Sequence, residues 1–440
     1  MQSSSRQILV LQHGTLIDGS GGPPIANDAL VIDGNRIRST GPLPSDIRLD
    51  RDEVHVIDAT GQWIMPGLID GHCHLSFGFP YLEGVARERG TSNPGFTTLQ
   101  AARNAQHVLC SGVTSIAVPG GTWFIDVGLR DAITAGVLSG PRIACAGRFI
   151  VTYGSILDDE PAWVGTPEHA IGVLANSVPE MITEVRRQCK HGVDFIKLAD
   201  STWGETQTIA PEELTAVVQE AHRHQTPVTI HARGAGSTRA AAKAGVDWIL
   251  HADLATPADL EVVAEAGARL MPTMTFLQQA LAVGSEFGLS TRELDLTKRN
   301  WDSAVRMLEQ ARRLGITLLC GTDSGNTPLM PYGELHAHEA EILVRYAGYT
   351  PMEAILACTR DNAFVMGLDG EVGVLAAGKL ADLIVLTADP LADIRVLQGG
   401  QHLAMVIKNG QIVARHRQDK EENLLTFTGA TAEMSVEEQR

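Results

Sequence analysis

The 440-residue sequence lacks a long hydrophobic run. No stretch approaches the roughly 18 to 20 uninterrupted apolar residues that a membrane helix requires, so no membrane association is expected. The first apolar run, Ile8–Leu11, is too short for the core of a secretory signal peptide, and no small-residue cleavage site follows it. We therefore expect a soluble protein of the cytoplasm.

The sequence is also poor in basic residues and in paired cysteines. Lysine and arginine total 35 against 52 aspartates and glutamates, and the net charge of −17 argues against a nucleic acid or an anionic membrane surface as partner. The six cysteines show no paired spacing, so reduced thiols are expected. With 44% apolar and 20% charged residues, the composition is that of an ordinary enzyme that acts on small molecules. The sequence leaves open whether the protein forms a homo-oligomer.

The chain changes its sequence pattern twice. Residues 1–64 contain short β-rich runs separated by Gly, Asp and Asn turns, and residues 371–415 return to that pattern. Residues 65–370 instead alternate apolar strand-like runs with helical segments, which is typical of parallel βα units. We therefore predict a barrel inserted into a small β-sandwich domain built from both termini, followed by a polar tail at 416–440.

Eight strand candidates lie in the central region, at Gly67–His74, Val113–Val118, Arg142–Ala146, Val193–Ala199, Pro227–His231, Trp248–His251, Arg269–Met274 and Thr317–Asp323. Helical periodicity fills the gaps between them, for example over residues 179–190, 211–224, 237–244, 257–266 and 299–314. Eight parallel strands with crossover helices predict an α/β fold of the (β/α)₈ TIM barrel type rather than an open doubly wound sheet.

Chemically active residues stand at the ends of five of these strands. His72 and His74 are two positions apart, so both side chains point to the same side of the first strand. Four other strands end in Lys197, His231, His251 and Asp323. Because barrel active sites lie at the C-terminal ends of the strands, all six side chains are expected to face one mouth.

Longer motifs around these residues resemble the amidohydrolase superfamily. Residues 56–74, which end in Gly-His-Cys-His, resemble its entry motif, and residues 378–386, Gly-Lys-Leu-Ala-Asp-Leu-Ile-Val-Leu, resemble its exit motif. Gly-Thr-Asp-Ser at 321–324 and Thr-Pro-Met-Glu-Ala at 350–354 are also similar, so the resemblance runs from about residue 8 to 415. Within the superfamily, the chain is most similar to the imidazolonepropionase-related and Xaa-Pro dipeptidase-like branch.

This resemblance implies a binuclear metal centre. His72, His74 and Asp323 would bind one divalent ion, His231 and His251 the other, and a Lys197 carboxylated by CO₂ would bridge them. A protonated amine repels cations, whereas a lysine carbamate is anionic and offers two oxygens. Zinc is the first expectation, and Co²⁺, Mn²⁺ and Fe²⁺ suit the same ligands.

The resemblance also implies hydrolysis of an amide-type C–N bond. Asp323, His251 and Lys197 are the expected catalytic residues, with a metal-bridged hydroxide as nucleophile and Asp323 as proton shuttle. One alternative is a single-metal deaminase, but such enzymes carry a Glu three residues after the fifth-strand histidine, where this chain has Gly234. A second alternative is a binding protein without activity, against which the complete ligand set argues.

Two substrate classes follow from the remaining residues. A dipeptide or N-acyl amino acid would require a group that holds its carboxylate, and Arg233 either does this or forms a structural ion pair. Dipeptidase-like relatives often carry a Gly-Gly-His segment where this chain has residues 148–155, without the histidine. That difference favours the second class, a neutral hydrophobic amide, carbamate or urea such as molinate and phenylurea hydrolases cleave.

Several apolar side chains are candidates for the substrate pocket. Three aromatic residues lie in loops expected to overhang the mouth, namely Tyr153, Trp203 and Tyr332. Three residues after the seventh strand would either form an apolar wall or belong to the core, namely Met274, Phe276 and Leu277.

Overall fold

A computed structural model of the chain describes residues 8–26, 29–77, 93–158, 161, 163 and 170–416. The predicted tail lies outside these residues apart from His416, and the predicted domain limits stay predictions. Within the described part, no helix combines the length and the apolar character needed to cross a membrane.

The N-terminal region consists of short strands rich in Val, Ile and Leu. They are β1 (Ile8–Gln12), β2 (Thr15–Leu16), β3 (Ile25–Ala26), β4 (Ala29–Asp33), β5 (Arg36–Gly41), β6 (Val54–Asp58) and β7 (Trp63–Pro66). Strands β4 and β5 form an antiparallel hairpin, and Gly34 in its turn has φ +62°, a conformation that favours glycine.

The central strands are short, apolar and parallel. They are β8 (Leu68–Asp70), β9 (Val113–Val118), β10 (Arg142–Cys145), β11 (Phe149–Val151), β12 (Gly172–Leu174), β13 (Ile196–Ala199), β14 (Val228–Ala232), β15 (Trp248–His251) and β16 (Arg269–Met271). They form a three-stranded sheet in the order β10-β9-β8 and a six-stranded sheet in the order β12-β11-β13-β14-β15-β16. Most of their residues are buried, as expected for parallel strands covered on both faces.

Helices connect these strands and pack outside them. They are α1 (Pro94–Cys110), α2 (Ile125–Thr134), α3 (Val178–Lys190), α4 (Pro211–Arg223), α5 (Ala235–Ala244), α6 (Pro257–Ala266), α7 (Met274–Val283), α8 (Thr291–Arg313), α9 (His338–Tyr346) and α10 (Pro351–Ala357), with 3₁₀ helices at Asp361–Met366 and Ile394–Leu397. Thr256, Ser290 and Thr350 each accept a backbone N–H three residues later, and an acidic side chain returns a bond in each case. These capping boxes fix where α6, α8 and α10 begin.

The C-terminal strands return to the N-terminal ones. They are β17 (Leu383–Leu386), β18 (Leu403–Lys408) and β19 (Gln411–Arg415). One mixed sheet has the order β19-β18-β17-β7-β2-β3, and a second has the order β5-β4-β1-β6. Leu9, Leu30, Ile64, Leu383 and Ile407 belong to one buried cluster that both sheets share. The two ends of the chain therefore meet in one sheet, while the assignment of these sheets as a β-sandwich stays a prediction.

The α/β class is confirmed, but the parallel strands of the described residues form two sheets rather than one continuous ring. The predicted strand Thr317–Asp323 is not a regular strand. It contacts its neighbours through isolated parallel bridges, Leu270 to Leu318 and Cys73 to Ser324. Asp323 has φ +63°, which interrupts extended pairing at that point.

The predicted strand Arg269–Met274 was too long. Strand β16 ends at Met271, and Met274 is already the first residue of α7. Thr273 between them has φ +56°, which ends the extended conformation and starts the helix.

We predict that the cluster shared by the two terminal sheets stabilises the fold. Leu383→Ala should lower the free energy of unfolding by about 2 to 5 kcal/mol, because it leaves a cavity at a fully buried position. Leu99→Ala is the matched control, since Leu99 is 72% exposed on α1, and should cost less than about 0.5 kcal/mol. The measurement is urea unfolding followed by circular dichroism. Equal effects of the two substitutions would contradict the role of this cluster.

Candidate metal centre

A pocket of about 890 Å³ lies at the C-terminal ends of the parallel strands. All six side chains predicted as metal ligands line it, together with ten other described residues. Those ten are Phe77, Phe149, Ile156, Leu157, Thr202, Trp203, Arg233, Phe276, Asn326 and Thr327. The structure therefore brings together residues that the sequence separates by up to 251 positions, from His72 to Asp323.

His72, His74 and Asp323 form the most compact part of the pocket wall. The Nε2 atoms of His72 and His74 lie 3.2 Å apart. Asp323 Oδ1 lies 3.2 Å from Nε2 of His72 and 3.1 Å from Nε2 of His74. All three residues are buried, and their ligand atoms are close enough to share one metal ion.

The carboxylate of Asp70 holds the two segments that carry these ligands. It accepts hydrogen bonds from the backbone N–H of His72 (3.0 Å) and from the backbone N–H of Thr322 (3.1 Å). The Thr322 hydroxyl donates to its other oxygen at 2.5 Å, and His336 Nδ1 lies 2.7 Å from that oxygen. Asp323 N–H donates to the His72 carbonyl at 2.6 Å, which closes the link between the segments.

Sequence reasoning did not identify these two supporting residues. Asp70 stands two positions before His72, so strand alternation could have indicated that it faces the same side. His336 follows the eighth predicted strand in the sequence, and the structure buries it against Asp70.

The hydrogen bonds of the ring Nδ1 atoms define the tautomers of both histidines. His74 Nδ1 lies 2.9 Å from the Gly120 carbonyl, which can only accept, so this nitrogen carries the proton. The Thr273 hydroxyl donates to the Met271 carbonyl and therefore accepts from His72 Nδ1 at 3.2 Å. In both neutral rings, the Nε2 lone pair consequently points into the pocket.

This arrangement fits a divalent cation. Burial lowers the pKa of His72 well below its usual value, which favours the neutral ring. Burial acts to raise the pKa of Asp323, but its contacts with His72 and His74 and the charge of Arg233 act against it, and the net shift is downward. Two imidazole lone pairs and a carboxylate oxygen then face one another within 3.2 Å, an arrangement that a cation between them would stabilise.

His231 and His251 form a second group of free ring nitrogens. Their ring centroids lie 4.4 Å apart, and that of His251 lies 5.5 Å from that of His72. His231 Nε2 and both nitrogens of His251 are buried without a hydrogen-bond partner among the described residues. Burial lowers the pKa of both rings, which favours their neutral forms, and each neutral ring has one nitrogen lone pair that it could offer to a second metal.

Lys197 also lines this pocket. Its side chain is buried, and Nζ is 5.1 Å from the centroid of the Phe149 ring. Burial lowers the pKa of this amine well below its usual value, the nearby Arg233 acts in the same direction, and Asp323 acts against it. The direction of this shift favours the neutral form of the amine.

Arg233 and Trp203 are the two predicted substrate-binding residues that line the pocket. The Arg233 guanidinium forms a buried ion pair with Asp253, whose carboxylate also accepts a hydrogen bond from Asn300 Nδ2 at 3.0 Å. The guanidinium carbon lies 5.8 Å from the centroid of the Trp203 ring and 5.9 Å from that of Phe276. The ion pair proposed as one alternative for Arg233 is thus present.

The other two predicted substrate-binding residues, Tyr153 and Tyr332, are not among the described residues that line the pocket. Tyr153 is 53% exposed. Tyr332 is buried behind His74, and its hydroxyl donates to the His74 carbonyl at 2.5 Å. Sequence position alone placed both in loops near the mouth, but it did not reveal the direction of either side chain.

Several residues of the apolar wall were missed. Phe77 stacks on the His74 ring at a centroid distance of 4.1 Å, and Phe149 lies beyond it at the start of β11. Phe77 follows His74 by three residues, which is the one signal that could have indicated it. Of the three residues proposed after the seventh strand, Phe276 lines the pocket, whereas Met274 and Leu277 are fully buried in the core.

A family model described as the amidohydrolase family matches residues 63–413. The chain belongs to the amidohydrolase family. Ochratoxinase of Aspergillus niger is 28% identical over 448 residues, which cover 92% of this chain and 86% of the relative. Imidazolonepropionase of Symbiobacterium thermophilum is 26% identical, with 92% and 97% covered. The crystal structure of a prolidase complexed with N-methylphosphonate-L-proline matches with a TM-score of 0.82 at 26% identity, over 93% of this chain and all of that chain.

These matches confirm the resemblance inferred from the entry and exit motifs. As a member of the amidohydrolase family, the chain is a hydrolase that acts on carbon–nitrogen bonds.

We predict that Trp203 contributes to substrate binding and that Tyr153 does not. Trp203→Ala should raise KM for an N-aryl amide about tenfold, because it removes aromatic surface from the pocket wall. Tyr153→Ala should change KM less than about twofold, because its exposed ring lies outside that wall. Steady-state kinetics measures both values. A larger effect of Tyr153→Ala would show that the loop adopts another position when substrate binds.

Proposed function

We propose that the chain is a metal-dependent amidohydrolase with two divalent ions, zinc being the first candidate. His72, His74 and Asp323 would hold one ion, His231 and His251 the other, and carboxylated Lys197 would bridge them. The observation that supports this proposal is the convergence of all six side chains on one pocket, three of them with ligand atoms within 3.2 Å. Histidine nitrogens and carboxylate oxygens are suitable ligands for zinc and for related transition metals.

The surroundings of Lys197 support its carboxylation. A neutral amine has a lone pair that can attack the carbon of CO₂, and loss of one N–H proton then leaves a carbamate anion. Burial favours this neutral amine, because it lowers the pKa of Lys197. The modification would place a negative charge at a position where the proposed cations would bind.

Asp323 is the proposed proton carrier of the reaction. The bound metals would polarise the substrate carbonyl and lower the pKa of the attacking water. Asp323 directs Oδ1 toward the two histidines, and we assign proton transfer to its other oxygen, Oδ2. It would accept the proton of the water and deliver it to the nitrogen as the C–N bond breaks.

The lining of the pocket favours a neutral hydrophobic amide, carbamate or urea. Six of the lining residues are apolar, namely Phe77, Phe149, Ile156, Leu157, Trp203 and Phe276. Asp253 neutralises the charge of Arg233, so the pocket does not offer an unpaired guanidinium to a substrate carboxylate. An aryl or branched acyl group would bury its surface against these walls.

We also propose that the parallel strands form one barrel. Isolated parallel bridges join β16 to residue 318 and residue 324 to Cys73, just beyond β8. On the opposite side, Asp194 N–H donates to the Cys145 carbonyl at the end of β10. These contacts support the interpretation that eight segments form one barrel, namely β8, β9, β10, β13, β14, β15, β16 and residues 317–323.

We predict that Lys197→Ala lowers the metal content from about two ions per chain to about one or fewer, because the bridging ligand is lost. Activity on amides should fall with it. Lys243→Ala on α5 is the matched control, since Lys243 is exposed. The measurement is elemental analysis of protein purified without chelators. Two ions retained after Lys197→Ala would contradict the bridging role, and one ion in the unchanged chain would favour the deaminase alternative.

We predict that Arg233 is required for structure rather than for recognition of a carboxylate. Arg233→Met leaves Asp253 buried without its partner, so it should reduce activity on neutral and acidic amides alike. The double variant Arg233→Met/Asp253→Asn removes both charges and should recover hydrolysis of neutral amides to within about tenfold. Parallel kcat/KM values on a neutral and an acidic amide measure this. A double variant that loses only the acidic substrate would show that Arg233 binds carboxylates.

A further inference from the structure

Two buried carboxylates outside the pocket lining, Glu339 and Asp126, hold the loops that hydrogen-bond to the paired histidines. We propose that Glu339 and Asp126 are positioning residues that fix His72 and His74, respectively, in the tautomer that directs Nε2 into the pocket. The inference rests on the proposed function only for the metal that these nitrogens would bind.

The His72 side of this arrangement depends on an unusual helix start. Thr273 is the N-cap residue of α7, where a threonine hydroxyl normally accepts a backbone N–H of the first turn. Here the side chain makes no such bond, because its hydroxyl donates to Met271 and accepts from His72. The Thr273 hydroxyl is available to accept the hydrogen bond from His72 because another group caps the helix.

Glu339, on α9, supplies the missing cap. Its Oε1 accepts the N–H of Met274 at 3.0 Å, and its Oε2 accepts the N–H and the hydroxyl of Thr275 at 2.9 and 2.7 Å. A carboxylate at a helix N-terminus is also favoured by the helix dipole. These bonds hold the turn at Thr273, whose φ of +56° is unusual for a β-branched residue.

The hydrogen bonds around His74 form the same kind of arrangement with different residues. Gly120 accepts the Nδ1 proton of His74 through its carbonyl, and the loop that follows it is fixed by Ser76. The Ser76 hydroxyl donates to Asp126 Oδ2 at 2.6 Å and therefore accepts the N–H of Thr122 at 3.2 Å. A Cβ on Gly121 would lie 1.7 Å from Asp126 Oδ2, so the loop packs directly on this carboxylate.

Each carboxylate thus acts on a histidine ring through the loop that hydrogen-bonds to that ring. Both are fully buried, and burial raises the pKa of each to about 7. An ionised carboxylate in such a position is costly, and the hydrogen bonds that it accepts offset only part of the cost, since the pKa of each stays raised. A wrong tautomer would turn an N–H toward the metal in place of a lone pair, and supporting residues of this kind typically change metal affinity about 10- to 100-fold.

The experiment uses ¹⁵N-histidine-labelled apo protein, in which NMR distinguishes Nδ1–H from Nε2–H rings, together with zinc titration against a chelating dye. Glu339→Leu should allow the Nε2–H form of His72 while His74 stays unchanged, and Asp126→Leu should do the reverse. Zinc affinity should fall about 10- to 100-fold in both. Each variant is therefore the control for the other.

Milder variants keep the test decisive if a leucine variant does not fold. Thr273→Val removes the hydroxyl but preserves shape, so it should reproduce the effect on His72, whereas Thr273→Ser should retain the original tautomer. Ser76→Ala should affect His74 alone. Unchanged tautomers in Thr273→Val and Ser76→Ala would overturn the inference. Because the NMR readout needs neither metal nor activity, absence of zinc binding in the unchanged chain would contradict the proposed function separately.

Discussion

The structure depends on a cluster of electron-pair donor atoms that the fold keeps close together inside the protein. Nε2 of His72, Nε2 of His74 and Oδ1 of Asp323 converge within 3.2 Å, and the other side of each histidine ring is occupied by a hydrogen bond that fixes its proton. Such atoms repel one another unless a cation lies between them. The surrounding scaffold must therefore resist this repulsion whenever the cation is absent, and Asp70 does so by binding both ligand-bearing segments at once.

The backbone of the site also contains unfavourable conformations. His251, Thr273 and Asp323 all have positive φ, a conformation that non-glycine residues seldom adopt. His251 ends β15, Thr273 follows the end of β16 by two residues, and Asp323 directly precedes the isolated bridge at Ser324. Conformations of this kind persist where neighbouring contacts over-determine them, and they concentrate at functional sites.

The sequence indicated well which side chains converge on the pocket, because strand alternation and strand ends are local properties. The spacing of His72 and His74 and the apolar runs before Lys197, His231 and His251 were enough to place those residues at one mouth. The sequence analysis missed the local signal at the start of α8. The helix begins at Thr291, eight residues before the predicted start at Arg299, because Ser290 and Glu293 form a capping box ahead of a polar stretch without clear apolar periodicity. Tertiary contacts could not be predicted: Glu339 binds Thr275, 64 residues away, and Asp126 binds Ser76, 50 residues away.

Strand β7 pairs with β17, and this pairing can form only late in the synthesis of the chain. Strand β7 leads directly into β8 and the segment of His72 and His74, yet its neighbour β17 follows the last central helix. During synthesis on the ribosome, this edge of β7 stays unpaired until residues 383–386 have emerged. A message truncated before the codons of β17 would consequently yield a protein that contains all six proposed metal ligands and still exposes an open strand edge, a feature that promotes aggregation.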